Sequence, residues 1–248
     1  MLEKAYTTFF TKPFHRYSLR RFGRLVTTST NARALIIGNG PSLNKLTPEV
    51  AEQYDVRIAC NHFYNHNLAN KIEIDFYCVS DPRLFYPIDW GWLRGVRSVE
   101  PRQLVVPSKF FYISAFYRGR LLYYNYAGEQ KLWNDDVNVC FDWARPFPSG
   151  DTVVSDISIP LAVALGYKNL HFVGVDLQHD TTGVTHAYDD QTVKSRRRDD
   201  DYLLNEWPGK TSRSLEKQFS VLRSIDVKVE VLASSDYFRS IIGAAMAK

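Results

Sequence analysis

At 248 residues and 45% hydrophobic composition, the chain is long enough to bury one catalytic-sized core, and its aromatic share of 14% is high. The net charge of +4 is mild and gathers near the N-terminus, which argues against nucleic acid as the partner. Cys60, Cys78 and Cys140 are odd in number and widely spaced, which suggests neither a disulfide framework nor a zinc site and fits a reducing cytoplasm; no apolar run approaches the roughly 18 residues of a membrane span.

Residues 1–30 carry Lys4, Lys12, Arg16, Arg20, Arg21 and Arg24 against Glu3, interleaved with Phe9, Phe10, Phe14, Tyr17 and Phe22. Such a mix suits a peripheral anchor on an anionic membrane, at the inner face of a cytoplasmic one. It suits equally a helix packed on the domain with its basic face in water. Residues 31–248 read as a single α/β domain. Arg33 to Ile37 is a strand that stops at Gly38-Asn39-Gly40-Pro41-Ser42, where glycines let a phosphate approach backbone N–H groups and Asn39 and Ser42 add side-chain hydrogen bonds. No Gly-Lys-Ser/Thr follows, so the turn is not a P-loop, and an ordinary strand-to-helix turn is the plain alternative.

A short helix from Thr47 to Gln53, capped by Thr47, leads to a strand from Val56 to Cys60 that ends at Asn61. A third strand, Ile74 to Val79, ends at Ser80-Asp81-Pro82. From Arg83 to Phe147 the pattern loosens into aromatic-rich pieces that are poor regular elements. These predict either an aromatic-walled cleft or a second small core. Pro148-Ser149-Gly150-Asp151 then opens a helix to about Leu165, with Ser149 as its cap, Pro160 as an interruption and Gly166 as its stop. Leu170 to Val175 is a strand ending at Asp176. Residues 180–213 are charged and turn-rich and predict a solvated, mobile lid. Leu215 to Ile225 reads as a helix and Val227 to Leu232 as a closing strand. Polar residues at every strand end predict a Rossmann-like, doubly wound, mostly parallel sheet with an aromatic-rich insertion and a lid, its ligand lying outside the carboxyl ends.

The segments LIIGNGPSL, Cys60-Asn61-His62-Phe63-Tyr64, Ser80-Asp81-Pro82-Arg83-Leu84-Phe85 and PSGDTVVSDISIPLAVALGYKNLHFVGVDL resemble, in order and rough spacing, bacterial sialyltransferase-like glycosyltransferases. The likeness extends to Maf-type glycosyltransferases and to archaeal pterin diphosphokinase-like proteins that share the Gly-Asn-Gly-Pro-Ser turn. The resemblance implies a cytidine monophosphate sugar donor, a glycan or glycolipid acceptor, and no metal or other cofactor. It also implies that Gly38, Asn39, Gly40 and Ser42 face the donor's phosphate and ribose, that Asn61 holds the nucleotide, and that Ser149 and Gly150 match the family's Ser-Gly helix start. Asp81 stands where the family has Asn. Gln178, after Gly174-Val175-Asp176-Leu177, and His186, before Ala187-Tyr188-Asp189, stand where the sialyltransferases place tyrosines, and Trp207 to Ser212 contains no counterpart of their histidine.

Transfer from an activated sugar needs a base for the acceptor hydroxyl and a way to stabilise the departing phosphate, and a histidine can serve either role. His186, ten residues past Asp176, is the candidate; His62 and His179 compete, and His171 lies inside a strand as a core residue. Asp189-Asp190 and Asp199-Asp200-Asp201 do not directly follow a strand and read as lid charges rather than metal ligands. The leading expectation is a metal-independent glycosyltransferase moving an acidic sugar of the sialic acid or Kdo type to a surface glycan. A pterin or nucleotide phosphotransferase and a non-catalytic nucleotide-binding protein are the alternatives. The oligomeric state stays open.

Overall fold

The computed structural model describes residues 12–85, 87–177, 187 and 206–247. Seven parallel strands form the central sheet: β1 (Arg33–Ile37), β2 (Val56–Cys60), β3 (Phe76–Cys78), β4 (Gln103–Pro107), β5 (Leu121–Tyr124), β8 (Asn169–Val173) and β9 (Lys228–Ala233). Their spatial order is β5-β4-β3-β2-β1-β8-β9. The chain winds outward from β1 to β5 and then returns to the other side of β1, so the winding reverses between β1 and β8. The crevice at such a reversal is where open α/β sheets bind ligands. Strands β6 (Tyr126–Lys131) and β7 (Phe147–Ser149) form a separate two-stranded sheet.

Side chains alternate between two cores because successive residues of a strand point to opposite faces. Ala34, Ile36, Ile58, Cys78, Leu122 and Phe172 enter one core, and Leu35, Ile37, Ala59, Tyr77, Leu104 and Tyr123 the other. Both faces are buried, so the strands read as continuous apolar runs instead of alternating ones. The first core is covered by α4 (Ile159–Ala164), α5 (Trp207–Ser224) and α6 (Asp236–Ala247), where Phe172, Phe219 and Phe238 meet edge to face with centroids 5.7 to 6.0 Å apart. The second is covered by α2 (Pro48–Ala51), α3 (Trp90–Val99) and several 3₁₀ turns.

The helix α1 (Lys12–Phe22) covers the outer edge of β5. Ser18 Oγ accepts the Tyr123 amide at 2.6 Å, His15 bridges Trp143 and Asn125, and Phe22 stacks on Trp143 at 4.4 Å. A hydroxyl thereby satisfies an edge amide that would otherwise invite another strand. The apolar face of this helix is used internally, with Arg16, Arg20 and Arg24 left in water. Lys4, Phe9 and Phe10 lie outside the described residues. Among those described, no helix is long and apolar enough to cross a membrane.

Several elements differ from the sequence reading. The aromatic stretch supplies helix α3 and strands β4 and β5, and Phe85, Trp92, Tyr123, Tyr124 and Phe147 are fully or nearly fully buried, so these rings build the cores rather than a cleft wall. The helix expected at Ser149 begins about four residues later, with a π turn at Val154–Ser158 followed by α4. Ser149 ends β7, and the Thr152 hydroxyl, not Ser149, accepts the Ser155 amide at 3.1 Å. The π turn immediately precedes Pro160, whose ring cannot continue an unbroken hydrogen-bond ladder. Helix α5 starts at Trp207 instead of Leu215, with Pro208 in its first turn. The anticipated lid lies mostly outside the described residues.

Helix α4 stops as its glycine predicts. Gly166 has φ +93°, its amide bonds Val163 and the Tyr167 amide bonds Ala162, which pairs the last carbonyls of the helix. A Cβ there would lie 2.5 Å from the Thr27 carbonyl oxygen. Gly166→Ala should therefore lower unfolding stability by about 1 to 3 kcal/mol. Gly243→Ala, inside α6 with open space around its Cβ, should raise it by about 0.5 to 1 kcal/mol. Urea unfolding of the two variants checks the contrast.

Candidate functional site

The turn after β1 and the turn after β8 are locked together at the switch point. The Gly38 amide donates to the Val173 carbonyl at 2.8 Å, Gly40 to Gly174 at 2.7 Å, and Ser42 to the Asp176 carboxylate at 2.8 Å. Ser42 Oγ donates to the Ala233 carbonyl and accepts the Gly174 amide, so one hydroxyl joins the ends of β1, β8 and β9. A Cβ on Gly38 would lie 2.2 Å from the Gly174 oxygen, and one on Gly40 2.3 Å from Asp176 Oδ2. The glycines thus make way for the turn after β8, Gly38 for its backbone and Gly40 for the Asp176 side chain, and three of the turn's amides are committed within the protein.

Asn39 stands apart in this turn. Its Nδ2 donates to the Cys60 carbonyl at 3.1 Å, while its Oδ1 is buried and has no partner. Asn61, at the end of the adjacent β2, has φ +46° and likewise a buried, unpartnered Oδ1. Two amide oxygens in want of donors therefore sit at neighbouring strand tips. A buried acceptor left unpaired costs about 1 to 3 kcal/mol, so such groups call for explanation.

The other predicted site residues fall into three groups. Asp176 is buried against Ser42, and its carbonyl accepts Ser235 Oγ at 2.5 Å. Asp81 follows β3 and is clamped by Arg83, whose Nη2 lies 2.6 Å from Oδ2. Burial alone would raise its carboxyl, but the Arg83 side-chain and amide hydrogen bonds hold it below the usual range. Ser149 and Gly150 are buried just before the π turn, which packs on β2, with the Gly150 amide at 2.6 Å and the Ser149 hydroxyl at 3.3 Å from Asp156.

Sequence reasoning did not single out Asp156, Asp151, Lys131 or Trp133, which knot this region. Lys131 Nζ pairs with Asp151 at 2.8 Å, and Trp133 Nε1 donates to the other oxygen at 2.8 Å. Trp207, at the start of α5, donates to the Asp151 carbonyl. Asp151 has φ +67° and Leu177 φ +54°, so with Asn61 three non-glycine residues in left-handed conformation follow β7, β8 and β2. Backbone strain of this kind gathers where a site is held in place by its surroundings. The one available signal for the knot was the Ser-Gly-Asp turn itself.

Among the histidines described, His62 follows Asn61, with Nδ1 3.1 Å from the Tyr64 hydroxyl, and it lies close enough to Asp81 to favour its charged form. His15 and His66 are bonded into the interior, and His171 lies within β8, edge-on to Tyr54. Gln178, His179, His186 and Tyr188 lie outside the described residues, as do Asp189, Asp190 and Asp199 to Asp201. Ala187 is described, and its amide donates to the Asn39 carbonyl at 2.9 Å. Among the described residues, no group of three or more His, Cys, Asp or Glu side chains is gathered as a metal site.

Against this geometry, the family described as 6-hydroxymethylpterin diphosphokinase MptE-like matches residues 10–182, well over half of the chain and all of the switch point. The chain belongs to the MptE-like family. No curated protein matches its sequence. Among solved structures it is similar to the monofunctional alpha-2,3-sialyltransferase Cst-I from Campylobacter jejuni, at 18% identity and a TM-score of 0.51, over 84% of this chain and 78% of that one. It is also similar to the Maf glycosyltransferase from Magnetospirillum magneticum AMB-1, at 15% identity and a TM-score of 0.50, over 94% of this chain and 42% of that one. This MptE-like chain therefore has the Rossmann-like fold of those glycosyltransferases.

Asp156 offers a direct test of the buried knot before the π turn. Burial pushes its carboxyl up to about 7, against the pull of the Gly150 amide. The unfolded carboxyl releases its proton near about 4, so between these values the native state holds the extra proton. Its contribution to stability is present in full below about pH 4 and is lost as pH rises through about 7. Wild type should lose more unfolding stability than Asp156→Asn between about pH 5 and pH 8, measured by urea titration at each pH. Parallel curves would mean that Asp156 is ionised in the folded protein.

Proposed function

We propose that the chain is a glycosyltransferase that takes an acidic sugar, of the sialic acid or Kdo type, from a cytidine monophosphate donor to a glycan acceptor without a metal ion. The observation that carries this reading is the pair of unpartnered oxygens, Asn39 Oδ1 and Asn61 Oδ1, at the tips of β1 and β2. Such acceptors suit hydroxyl and amino groups, which a ribose and a cytosine present, and repel phosphate. The nucleoside then lies over β1 and β2, with the sugar toward β8, where Asp176 and Gln178 follow the strand. The resemblance of the Gly-Asn-Gly-Pro-Ser turn and its companion segments to sialyltransferases supports the cytidine donor, and the shared fold supports the reaction class at its coarsest.

Metal independence is supported by the state of the carboxylates at the tips. Asp81 is paired with Arg83, Asp151 with Lys131, and Asp176 accepts a backbone amide. None stands in a cluster ready to hold a diphosphate-bound cation. For the base, the reading keeps His186. The bond from Ala187 to the Asn39 carbonyl supports it, because residue 186 is joined covalently to a residue that meets the nucleotide turn. Its imidazole takes the acceptor hydroxyl proton as the bond from sugar to phosphate breaks.

A second reading is favoured by the family itself, whose description names a pterin diphosphokinase. That activity transfers a diphosphate from a nucleoside triphosphate and requires magnesium. A thermal-shift screen separates the two: cytidine monophosphate should stabilise the chain equally with and without magnesium, whereas a kinase would respond to a magnesium nucleoside triphosphate and a pterin. Asn39→Ala and Asn61→Ala should each weaken cytidine monophosphate binding by roughly 1 to 3 kcal/mol in calorimetry. Unchanged affinity in both would remove the nucleoside from these two tips.

The catalytic assignment is tested separately. His186→Ala should lower turnover by a factor on the order of 10² to 10⁴ with little change in nucleotide affinity. Near wild-type turnover, with His62→Ala inactive, would move the base to the β2 tip.

A further inference from the structure

One surface lies outside everything the nucleotide cleft uses. On α3, Trp90, Arg94 and Arg97 recur at spacings of four and three and so share one helical stripe. Trp90 is 53% exposed and Phe116 37% exposed, and their rings meet edge to face at 5.3 Å. The Arg97 guanidinium donates to the Phe116 carbonyl, which fixes the loop from Phe116 to Arg120 along the same stripe. Arg97, Tyr117, Arg118 and Gly119 then line a groove with Glu100, the acidic residue among its walls. Arg120 follows, exposed, just before β5. The basic last turn of α1 adjoins this flank, since Arg21 donates to Gln103 at the start of β4, beside β5.

Single exposed aromatics are ordinary, but two touching rings bordered by four arginines are a patch with a defined chemistry. We propose that this α3 flank is a docking surface for a membrane bearing anionic phospholipids. Guanidinium groups pair with phosphate headgroups in a planar, two-pronged geometry, and exposed indole and phenyl rings favour the boundary between headgroups and acyl chains. Trp90 and Phe116 engage one another edge to face, which leaves less open ring surface for stacking on nucleic-acid bases. The flank lies beside β4 and β5, three strands from the switch point between β1 and β8, so a chain docked there keeps its cleft uncovered. This assignment does not depend on which group the enzyme transfers. It places membrane contact on folded arginines and aromatics of the domain rather than on the apolar face of α1, which packs inward.

Co-sedimentation of the full chain with phosphatidylcholine vesicles, with and without phosphatidylglycerol, tests the assignment. The chain should pellet with the anionic vesicles alone and be released by salt. The double variant Arg94→Glu/Arg118→Glu should weaken binding by at least about thirtyfold, the equivalent of two charges at about 1 kcal/mol each. Trp90→Ala should weaken it independently, without a change of charge. Lys228→Glu/Arg239→Glu, which reverses two exposed charges on β9 and α6 at the opposite side of the sheet, should leave it unchanged. Equal losses in the two double variants would overturn the proposal in favour of attraction by net charge. So would an absence of pelleting in wild type, or tight binding of an RNA oligonucleotide by a chain that ignores the vesicles.

Discussion

The contact between Ser42 and Asp176 holds together the place where the sheet reverses its winding. Two parallel strands that share an edge at a switch point send their following turns in opposite directions, which opens a crevice and leaves backbone groups unpaired. Here the crevice is closed at its base by short bonds: glycine amides to the β8 turn, the Ser42 amide to a carboxylate, and the Ser42 hydroxyl to β9. Only glycine permits the approach at Gly38 and Gly40. The consequence is a rigid floor from which Asn39 alone turns its side chain away, toward β2.

That rigidity explains why the polar chemistry collects where it does. Once the glycine amides are committed internally, the side chains at these tips stand out, and among the described residues Asn39 and Asn61 each keep a buried amide oxygen without a partner. Asn61 reaches its position through a left-handed backbone conformation, which the Tyr77 hydroxyl reinforces by donating to the Asn61 carbonyl at 2.9 Å. A second buried knot, just before the π turn, plays the same supporting part, with Asp156 accepting from Ser149 and Gly150 and Asp151 accepting from Lys131 and Trp133. The strand ends are thus held by polar groups paired with one another, which helps to place the unpaired ones accurately.

Much of this frame was legible in the sequence because parallel strands buried on both faces are continuous apolar runs that end abruptly at Gly, Asn or Asp. Leu35 to Ile37 before Gly38 and Leu170 to Val173 before Gly174 are of this kind. Strands β4 and β5 were not legible, since their short runs are embedded among aromatics whose burial depends on contacts with α1 and α3 far away in sequence. The start of α5 was hidden because Pro208 and Gly209 look like breakers although proline is at home in a first helical turn. Ser149, placed after Pro148, reads as a helix cap. The structure shows the carboxylate of Asp156, one turn into the next helix, claiming the Ser149 hydroxyl and the Gly150 amide instead. The partnership of Ser42 with Asp176 spans more than half the chain, and no local pattern announces it.

The family and the fold pull the chemistry in two directions that the same floor can accommodate. A diphosphokinase and a monophosphate-sugar transferase both need a nucleotide over the first strands, but they differ in how much negative charge must be neutralised. A triphosphate brings magnesium, and magnesium needs carboxylates or waters free to ligate it. At this rim Asp81 is answered by an arginine, Asp151 by a lysine and Asp176 by a backbone amide, so freeing any of them would dismantle part of the frame. A monophosphate leaving group makes no such demand. On the proposed reading, hydrogen bonds or a protonated side chain would meet its charge as the bond breaks.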